Sequence, residues 1–299
     1  MNKIEIIDLK FLQEEHSIGA FIVRTFFGPI LIETGPMTTF SNLENGIKNL
    51  GIEITDIKHV FLTHIHFDHA GAAWKFAEHG AKIYVHPAGL PHLENPEKLW
   101  NSAKQIYQDK MEYLWGEMKP ISSQQLIAAS DQDEFNFGDT TIKVHYTPGH
   151  AVHHNSYQID QVIFTGDVAG VQIDHGPVVP PCPPPDINIE LWKESINKLR
   201  NLNSNWLYLT HFGAKNNPNK ILDELETTLN QWANFIKPFY DTNTPPNEIV
   251  PKFMEFTTTN FKSSGLTNSE IQTYEYANPS WMSVNGLLRY WKLKEQGRL

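Results

Sequence analysis

Cysteine is nearly absent from the sequence, since Cys182 is the single one among 299 residues. One cysteine cannot form a disulfide within the chain, so nothing in the composition indicates an oxidising compartment. The first ten residues, MNKIEIIDLK, have charges between their apolar residues and lack the apolar core of a signal peptide. No apolar run approaches the ~20 residues that a membrane span requires. We therefore expect a cytoplasmic protein with no membrane partner.

Basic residues are also scarce, with 24 Lys and Arg against 34 Asp and Glu and a net charge of −10. A nucleic-acid surface requires clustered Lys and Arg, so we expect no nucleic-acid partner. The sequence is instead rich in histidine, with 14 in all, and 40% of its residues are hydrophobic and 12% aromatic. That apolar content is sufficient for a sizeable core.

Short apolar runs typical of strands alternate with helical patterns up to about residue 213, which indicates an α/β (α+β) fold. Between residues 87 and 128 the alternation stops, and we expect a helical insertion without strands that includes a helix over Pro96–Met118. After Gly213 there is no strand pattern, and apolar residues recur at helical spacing. The sequence therefore predicts a catalytic domain over residues 1–215 and a helical extension over residues 216–299.

Four metal-ligand residues follow the predicted buried strand His59–Leu62 within six positions: His64, His66, Asp68 and His69. Residues i and i+2 of an extended segment point to the same side, so His64 and His66 can hold one ion together. Asp68 and His69 come after the chain turns and can face a second ion. Imidazole nitrogens suit zinc or iron, and a carboxylate suits a charged centre.

Three more such residues each follow a predicted strand. His150 comes after Ile142–His145, Asp167 after Val162–Phe164, and His211 after Trp206–Leu209. Loops that leave the carboxyl ends of strands converge in an α/β sandwich. We therefore expect these residues to join the four above in a single site.

With these residues the sequence resembles the metallo-β-lactamase-fold hydrolase superfamily, whose motif H-x-H-x-D-H is matched by residues 64–69. The resemblance covers roughly Ile4 to Gly213 and implies an αββα sandwich with two divalent metal ions at one edge. It assigns the first ion to His64, His66 and His150, the second to Asp68, His69 and His211, and a bridging role to Asp167. Zinc is the expected metal, and iron and manganese stay open because the same ligands serve all three.

The order of His150, Asp167 and His211 looks most like the branch that holds glyoxalase II and the acyl-homoserine lactonases. True β-lactamases usually have Cys at the second-metal position, so Asp167 counts against antibiotic hydrolysis. The sequence departs from the family pattern in two places: the stretch Glu33-Thr34-Gly35 stands where the family usually shows Asp, and His153 stands where Gly is frequent. We expect both departures to change the surroundings of the ligands without abolishing metal binding.

The resemblance implies a dinuclear metal-dependent hydrolase in which a metal-bridging hydroxide attacks a small ester-type bond: a thioester, lactone or carboxyl ester. Asp68 is the expected catalytic residue, because it could orient the nucleophile or carry a proton to the leaving group. His153 and His154 could hydrogen-bond a metal-bound carboxylate.

Substrate choice is expected to depend on the insertion and the extension, which are rich in aromatic residues and could place an apolar wall above the metals. We therefore expect a small-molecule substrate with an apolar part, and the extension could also serve as a homodimer interface. The four arginines do not cluster, which disfavours a glutathione thioester: Arg24, Arg200, Arg289 and Arg298.

Three other functions are compatible with the same fold. The first is an iron-dependent persulfide-type dioxygenase, which uses one iron held by two histidines and an aspartate; the presence of both Asp68 and His211 favours two metals instead. The second is a ligand-binding regulator with little turnover. The third is a nuclease, which the acidic charge disfavours.

Overall fold

Two six-stranded sheets form the centre of the protein, as seen in a computed structural model that describes residues 3–299. The first sheet is antiparallel from β1 to β3 and parallel from β3 to β6. Its strands are β1 (Ile4–Asp8), β2 (Gly19–Thr25), β3 (Gly28–Ile32), β4 (His59–Phe61), β5 (Lys82–Val85) and β6 (Leu126–Ala128).

The second sheet has the order β12-β11-β10-β9-β8-β7, and only β10 and β11 are parallel. Its strands are β7 (Glu134–Asn136), β8 (Thr141–Tyr146), β9 (Asn155–Ile159), β10 (Val162–Gly166), β11 (Trp206–Leu209) and β12 (Gly213–Asn216). Phe21 and Phe61 of the first sheet pack with Tyr157 and Phe164 of the second in an apolar core between the two sheets.

Helices cover the outer face of each sheet. They are α1 (Phe40–Asn49), α2 (Phe67–Ala70), α3 (Ala73–Glu78), α4 (Leu90–Glu94), α5 (Glu97–Tyr107), α6 (Met111–Trp115), α7 (Ile189–Asn201), α8 (Pro218–Asp241), α9 (Pro246–Ser263), α10 (Asn268–Ala277) and α11 (Ser280–Glu295). One apolar cluster joins α1–α6 to the first sheet, and another joins α7–α11 to the second. The layers are therefore helix, sheet, sheet and helix, which confirms the αββα fold with a C-terminal helical extension. Within the described residues, no helix combines the length and apolar character that crossing a membrane would demand.

Two strands contradict the sequence-based expectations. β6 lies inside the segment 87–128 that was expected to lack strands, and it pairs in parallel with β5. β12 begins at Gly213, the residue after which no strand was expected, and it pairs antiparallel with β11. Both are short segments without a strong strand pattern, and pairing with a neighbouring strand decides their conformation.

The prediction of a single helix over Pro96–Met118 is also wrong. α5 ends at Tyr107, because Gln108 adopts a positive φ of 52° that an α-helix cannot continue through. α6 then ends before Gly116, whose φ is 70°. The insertion is therefore a set of short helices, and the break directly after Tyr107 places that residue at a helix end.

The helical extension holds the proline-rich loop that follows Asp167. The hydroxyl of Tyr274 donates to the carbonyl oxygen of Pro177 at 2.8 Å, and Asn278 Nδ2 donates to that of Pro180 at 3.1 Å. Gly286 packs so closely on the loop that a Cβ there would lie 1.9 Å from the carbonyl oxygen of Cys182. The loop is therefore fixed by α10 and α11.

Candidate metal centre

The seven predicted ligands all lie at one edge of the sandwich. His64 and His66 follow β4, and the short helix α2 carries Asp68 and His69. The other three follow strands of the second sheet: His150 comes after β8, Asp167 after β10 and His211 after β11. The structure thus brings together all seven residues that the sequence singled out.

Three imidazoles converge in the first group of ligands. Nδ1 of His66 lies 3.0 Å from Nε2 of His64 and 3.1 Å from Nε2 of His150. His64 and His150 are buried, whereas His66 is partly exposed. The three nitrogens therefore face a common point that is open on the His66 side.

The second group consists of Asp68, His69 and His211. Oδ2 of Asp68 lies 3.7 Å from Nε2 of His69 and 3.5 Å from Nε2 of His211. Both histidines are buried, and the Asp68 side chain is 21% exposed. Asp68 is thus the member of this group that faces solvent.

Asp167 stands between the two groups. Its Oδ2 lies 3.2 Å from Nε2 of His150, and its Oδ1 lies 3.2 Å from Nε2 of His69 and 3.5 Å from Nε2 of His211. Each carboxylate oxygen therefore faces a different group. One carboxylate can in this way serve two ions.

The backbone before Asp167 allows this close approach. Gly166 has a φ of 50°, and a Cβ at that position would lie 2.4 Å from Oγ1 of Thr63 and 2.8 Å from Nε2 of His154. His154 accepts a hydrogen bond from the Asp167 backbone N–H at 3.2 Å, and its Nδ1 contacts Oγ1 of Thr147 at 2.8 Å. His154 therefore positions the Asp167 backbone. His153 instead lies beside the His66 ring, with centroids 5.6 Å apart, and its Nε2 is 3.9 Å from Asp186.

Hydrogen bonds fix which nitrogen of the buried histidines carries the proton. Nδ1 of His150 donates to the carbonyl oxygen of Pro181 at 2.8 Å, and Nδ1 of His211 donates to that of Ser17 at 2.6 Å. A carbonyl can only accept, so in the neutral ring Nε2 keeps its lone pair for the centre. These two carbonyl partners are not predictable from the sequence, because a backbone group leaves no signal in residue type.

Glu33, which belongs to a stretch where the sequence departs from the family pattern, fixes the orientation of two further ligands. It is fully buried at a φ of 64°, and its Oε1 accepts from Nδ1 of His69 at 3.1 Å and from Oγ1 of Thr63 at 2.5 Å. Because the Thr63 hydroxyl gives its proton to Glu33, it accepts from Nδ1 of His64 at 3.0 Å. One carboxylate thus directs Nε2 of His69 and Nε2 of His64 toward the centre.

The two groups differ in protonation when no cation is bound. Burial lowers the pKa of His64 well below its ordinary value and that of His66 to about 3, and it also lowers the pKa of His150. Burial acts on His69 and His211 in the same direction, but the charge of Asp167, with that of Asp68, outweighs it and raises the pKa of both. The first group therefore takes up protons only at lower pH than the second.

These residues fit a divalent metal site typical of the fold. Nε2 of His69 and Oδ1 of Asp167 are buried and make no hydrogen bond to any of residues 3–299. Buried polar atoms are normally paired, so such atoms in the middle of the cluster indicate a ligand. The donor set of imidazole nitrogens and carboxylate oxygens matches that of zinc, iron or manganese.

A cavity of about 1090 Å³ opens above the centre. His66, Asp68, Asp167 and His211 lie in its floor. Its walls combine apolar side chains from the insertion, the proline-rich loop and the extension, among them Leu99, Ile106, Trp115, Pro181, Trp281 and Met282. Of the aromatic residues in the insertion and the extension, Tyr107, Tyr113, Trp115 and Trp281 line the cavity, whereas Trp232 and Phe253 pack in the core.

The fold and the site together define an αββα sandwich protein whose clustered residues fit a divalent metal ion, and comparison with known proteins identifies its family. The family model of the metallo-β-lactamase superfamily matches residues 20–211, and the chain belongs to this superfamily. The metallo-β-lactamase fold-containing protein ST1585 of Sulfurisphaera tokodaii is 31% identical over 178 residues, which are 58% of this chain and 67% of that protein. The N-acyl homoserine lactonase AttM of Agrobacterium fabrum is 28% identical over 114 residues, 38% of this chain and 40% of the lactonase.

Solved structures agree with this assignment. The structure of ST1585 has a TM-score of 0.63 at 25% identity and covers 76% of this chain and 86% of its own. The metallo-β-lactamase family protein TTHA1429 of Thermus thermophilus has a TM-score of 0.68 at 18% identity and covers 98% of this chain and 94% of its own. The second similarity concerns the fold alone, and it extends over the C-terminal helices.

Proposed function

We propose that the protein is a dinuclear metal-dependent hydrolase that cleaves a small ester-type bond, meaning a thioester, lactone or carboxyl ester. The observation that carries this proposal is the position of Asp167, whose two oxygens face two separate groups of ligands. His64, His66 and His150 would hold one divalent ion, and Asp68, His69 and His211 the other. Such ions activate water and polarise a substrate carbonyl.

Asp68 is the residue of the chain best placed to handle the proton of the reaction. Hydrolysis adds a hydroxyl to the acyl carbon and a proton to the leaving oxygen or sulfur. When no cation is bound, burial would raise the pKa of Asp68, but the charges of His69 and His211 outweigh it and lower the pKa to about 2, so the carboxylate is already ionised when a metal ion binds. It lines the cavity and can accept the proton of the attacking water at a carboxylate oxygen and transfer it to the leaving group.

The cavity supports a substrate with an apolar part. Its walls expose leucine, isoleucine and tryptophan side chains directly above the polar floor. A compound with an apolar acyl group would bury that group against these walls while its ester-type bond lies at the metal centre. The similarity to a lactonase over part of the chain supports a lactone as one member of this class.

The test is a hydrolysis screen on zinc-loaded protein, using 4-nitrophenyl esters, γ-lactones and S-acyl thioesters of increasing acyl length. We expect turnover of at least one class, and we expect Asp68→Asn to lower kcat by on the order of 10²- to 10⁴-fold. Asp186→Asn is the matched control, because Asp186 also lines the cavity but belongs to neither ligand group. Equal activity of the two variants, or no turnover by the wild-type chain, would contradict the proposal. In a separate assay, oxygen consumption with a persulfide substrate would favour the iron-dependent dioxygenase.

A further inference from the structure

Tyr107, at the end of α5, is held in the cavity by two tryptophans. Its ring centroid lies 5.2 Å from that of Trp115 at an interplanar angle of 73° and 5.7 Å from that of Trp281 at 82°. Trp115 belongs to the insertion and Trp281 to the extension. Edge contacts of this kind stabilise aromatic pairs, so both parts of the chain fix the position of the phenol ring.

The hydroxyl of Tyr107 has no hydrogen-bond partner among the residues that the structure describes, although its ring is partly buried. The buried tyrosines of the core behave differently. Tyr157 donates to the carbonyl oxygen of Leu62 at 2.7 Å, and Tyr274 donates to that of Pro177 at 2.8 Å. Tyr107 is half-buried and lines the cavity, so its free donor is available to a molecule that enters the cavity.

Tyr107 also lies near the floor of the cavity. Burial raises the pKa of its phenol, and the negative charge of Asp68 raises it further. The phenol therefore stays protonated at neutral pH and can donate. Asp68 and Asp167, which also line the cavity, offer carboxylate oxygens, which accept hydrogen bonds.

We propose that the hydroxyl of Tyr107 donates a hydrogen bond to the acyl oxygen of the bound substrate. This inference rests on the proposed function, because it assumes a carbonyl compound above the metal centre. The hydrogen bond orients the substrate, with its polar oxygen at Tyr107 and its apolar part against the neighbouring walls. It also makes the insertion and the extension jointly responsible for substrate placement, since each contributes one of the tryptophans that hold the ring.

The experiment measures binding and does not depend on turnover. Octanoate, which combines an apolar chain with the acyl oxygens of a hydrolysis product, is titrated into zinc-loaded protein by calorimetry. Tyr107→Phe removes the hydroxyl and keeps the ring between the tryptophans. Tyr113→Phe is the matched control, because Tyr113 also lines the cavity from the insertion but is 70% exposed. Metal content is measured for every sample.

We expect Tyr107→Phe to weaken octanoate binding by about tenfold, as the loss of one hydrogen bond in a shielded site does, with unchanged metal content. We expect Tyr113→Phe to bind like the wild type. Equal affinities of the two variants would overturn the inference, and so would the absence of octanoate binding to the wild-type chain. If no ester, lactone or thioester is hydrolysed but octanoate still binds Tyr107→Phe more weakly than the wild type, the proposed function fails, and Tyr107 is a hydrogen-bond donor to a bound acyl oxygen rather than a residue that orients a substrate for hydrolysis.

Discussion

Oδ1 of Asp167 lies 3.2 Å from Nε2 of His69, and neither atom has a hydrogen-bond partner within residues 3–299 although both are buried. The second oxygen of the same carboxylate lies 3.2 Å from Nε2 of His150 in the other ligand group. Leaving buried polar atoms unpaired costs about 1–3 kcal/mol each. A cation that accepts both lone pairs removes this cost, so the arrangement fits a divalent metal site.

Substitution of Glu33 is expected to weaken metal binding in both groups. Glu33→Gln replaces a carboxylate that accepts from both Thr63 and His69 with an amide that can donate, so the proton positions on His64 and His69 are no longer fixed. Loss of such a partner lowers metal affinity by about 10- to 100-fold. Zinc affinity measured by competition with a chromophoric chelator checks this.

Substitution of Thr63 distinguishes the effect of Glu33 on His64 from its effect on His69. Thr63→Val removes the hydroxyl that links Glu33 to His64 but leaves the contact between Glu33 and His69. We therefore expect it to weaken only the first group, whereas Thr63→Ser keeps the hydroxyl and serves as the control. Wild-type zinc affinity in both Glu33→Gln and Thr63→Val would show that this network does not orient the ligands.

Lower pH is expected to release the metal of the second group first. Burial acts to lower the pKa of His69 and His211, but the carboxylates of Asp167 and Asp68 outweigh it and raise the pKa of both. Glu33 also raises the pKa of His69. Below a raised pKa the imidazole is protonated, so protons compete with the cation there. Burial lowers the pKa of His64, His66 and His150, so protons compete only at much lower pH.

Metal analysis after dialysis at stepwise lower pH, from 8 to 5, checks this order. We expect one metal per chain to be lost while the other stays bound. Simultaneous loss of both metals would show that the carboxylates do not separate the two groups.

A methyl group added to α11 is expected to disturb the metal centre from a distance. The Cβ of Gly286→Ala would lie 1.9 Å from the carbonyl oxygen of Cys182, so the proline-rich loop must move. The two residues before Cys182 also hold neighbouring groups. The carbonyl oxygen of Pro180 accepts a hydrogen bond from Asn278, and that of Pro181 accepts one from His150. We expect a loss of about 1–3 kcal/mol in the free energy of unfolding and weaker zinc binding in the first group.

Chemical denaturation and zinc titration of the variant test this connection. Asn285→Ala provides a comparison on the same helix, because Asn285 donates its hydrogen bond to the carbonyl oxygen of Trp281 within α11 and not to the loop. A Gly286→Ala variant with wild-type stability and zinc affinity would show that the loop adapts without moving His150.

The ligands were predictable from the sequence because their signals are local. Four of them lie within the six residues 64–69, directly after a buried strand. The other three each follow a strand whose apolar run is clear in the sequence. A strand end and a metal-ligand residue type are together enough to place these side chains at one edge of the sheets.

What the sequence did not predict depends on contacts between distant segments. Glu33 hydrogen-bonds to Thr63 and His69, which lie 30 and 36 positions further along the chain. The partners of His150 and His211 are backbone carbonyls, which residue type does not reveal. β6 and β12 are strands only because a neighbour pairs with them. The end of α5 at Tyr107 follows from the backbone of Gln108, which the helical pattern does not reveal.

The most direct test of the account is the metal content of Asp167→Asn compared with that of the wild type. Asparagine has nearly the same shape as aspartate, but it is neutral and offers one oxygen, so it cannot serve both groups. After reconstitution with excess zinc and removal of unbound metal, we predict two zinc ions per wild-type chain and at most one per Asp167→Asn chain. A wild-type chain that binds one zinc ion, or a variant that still binds two, would contradict the account.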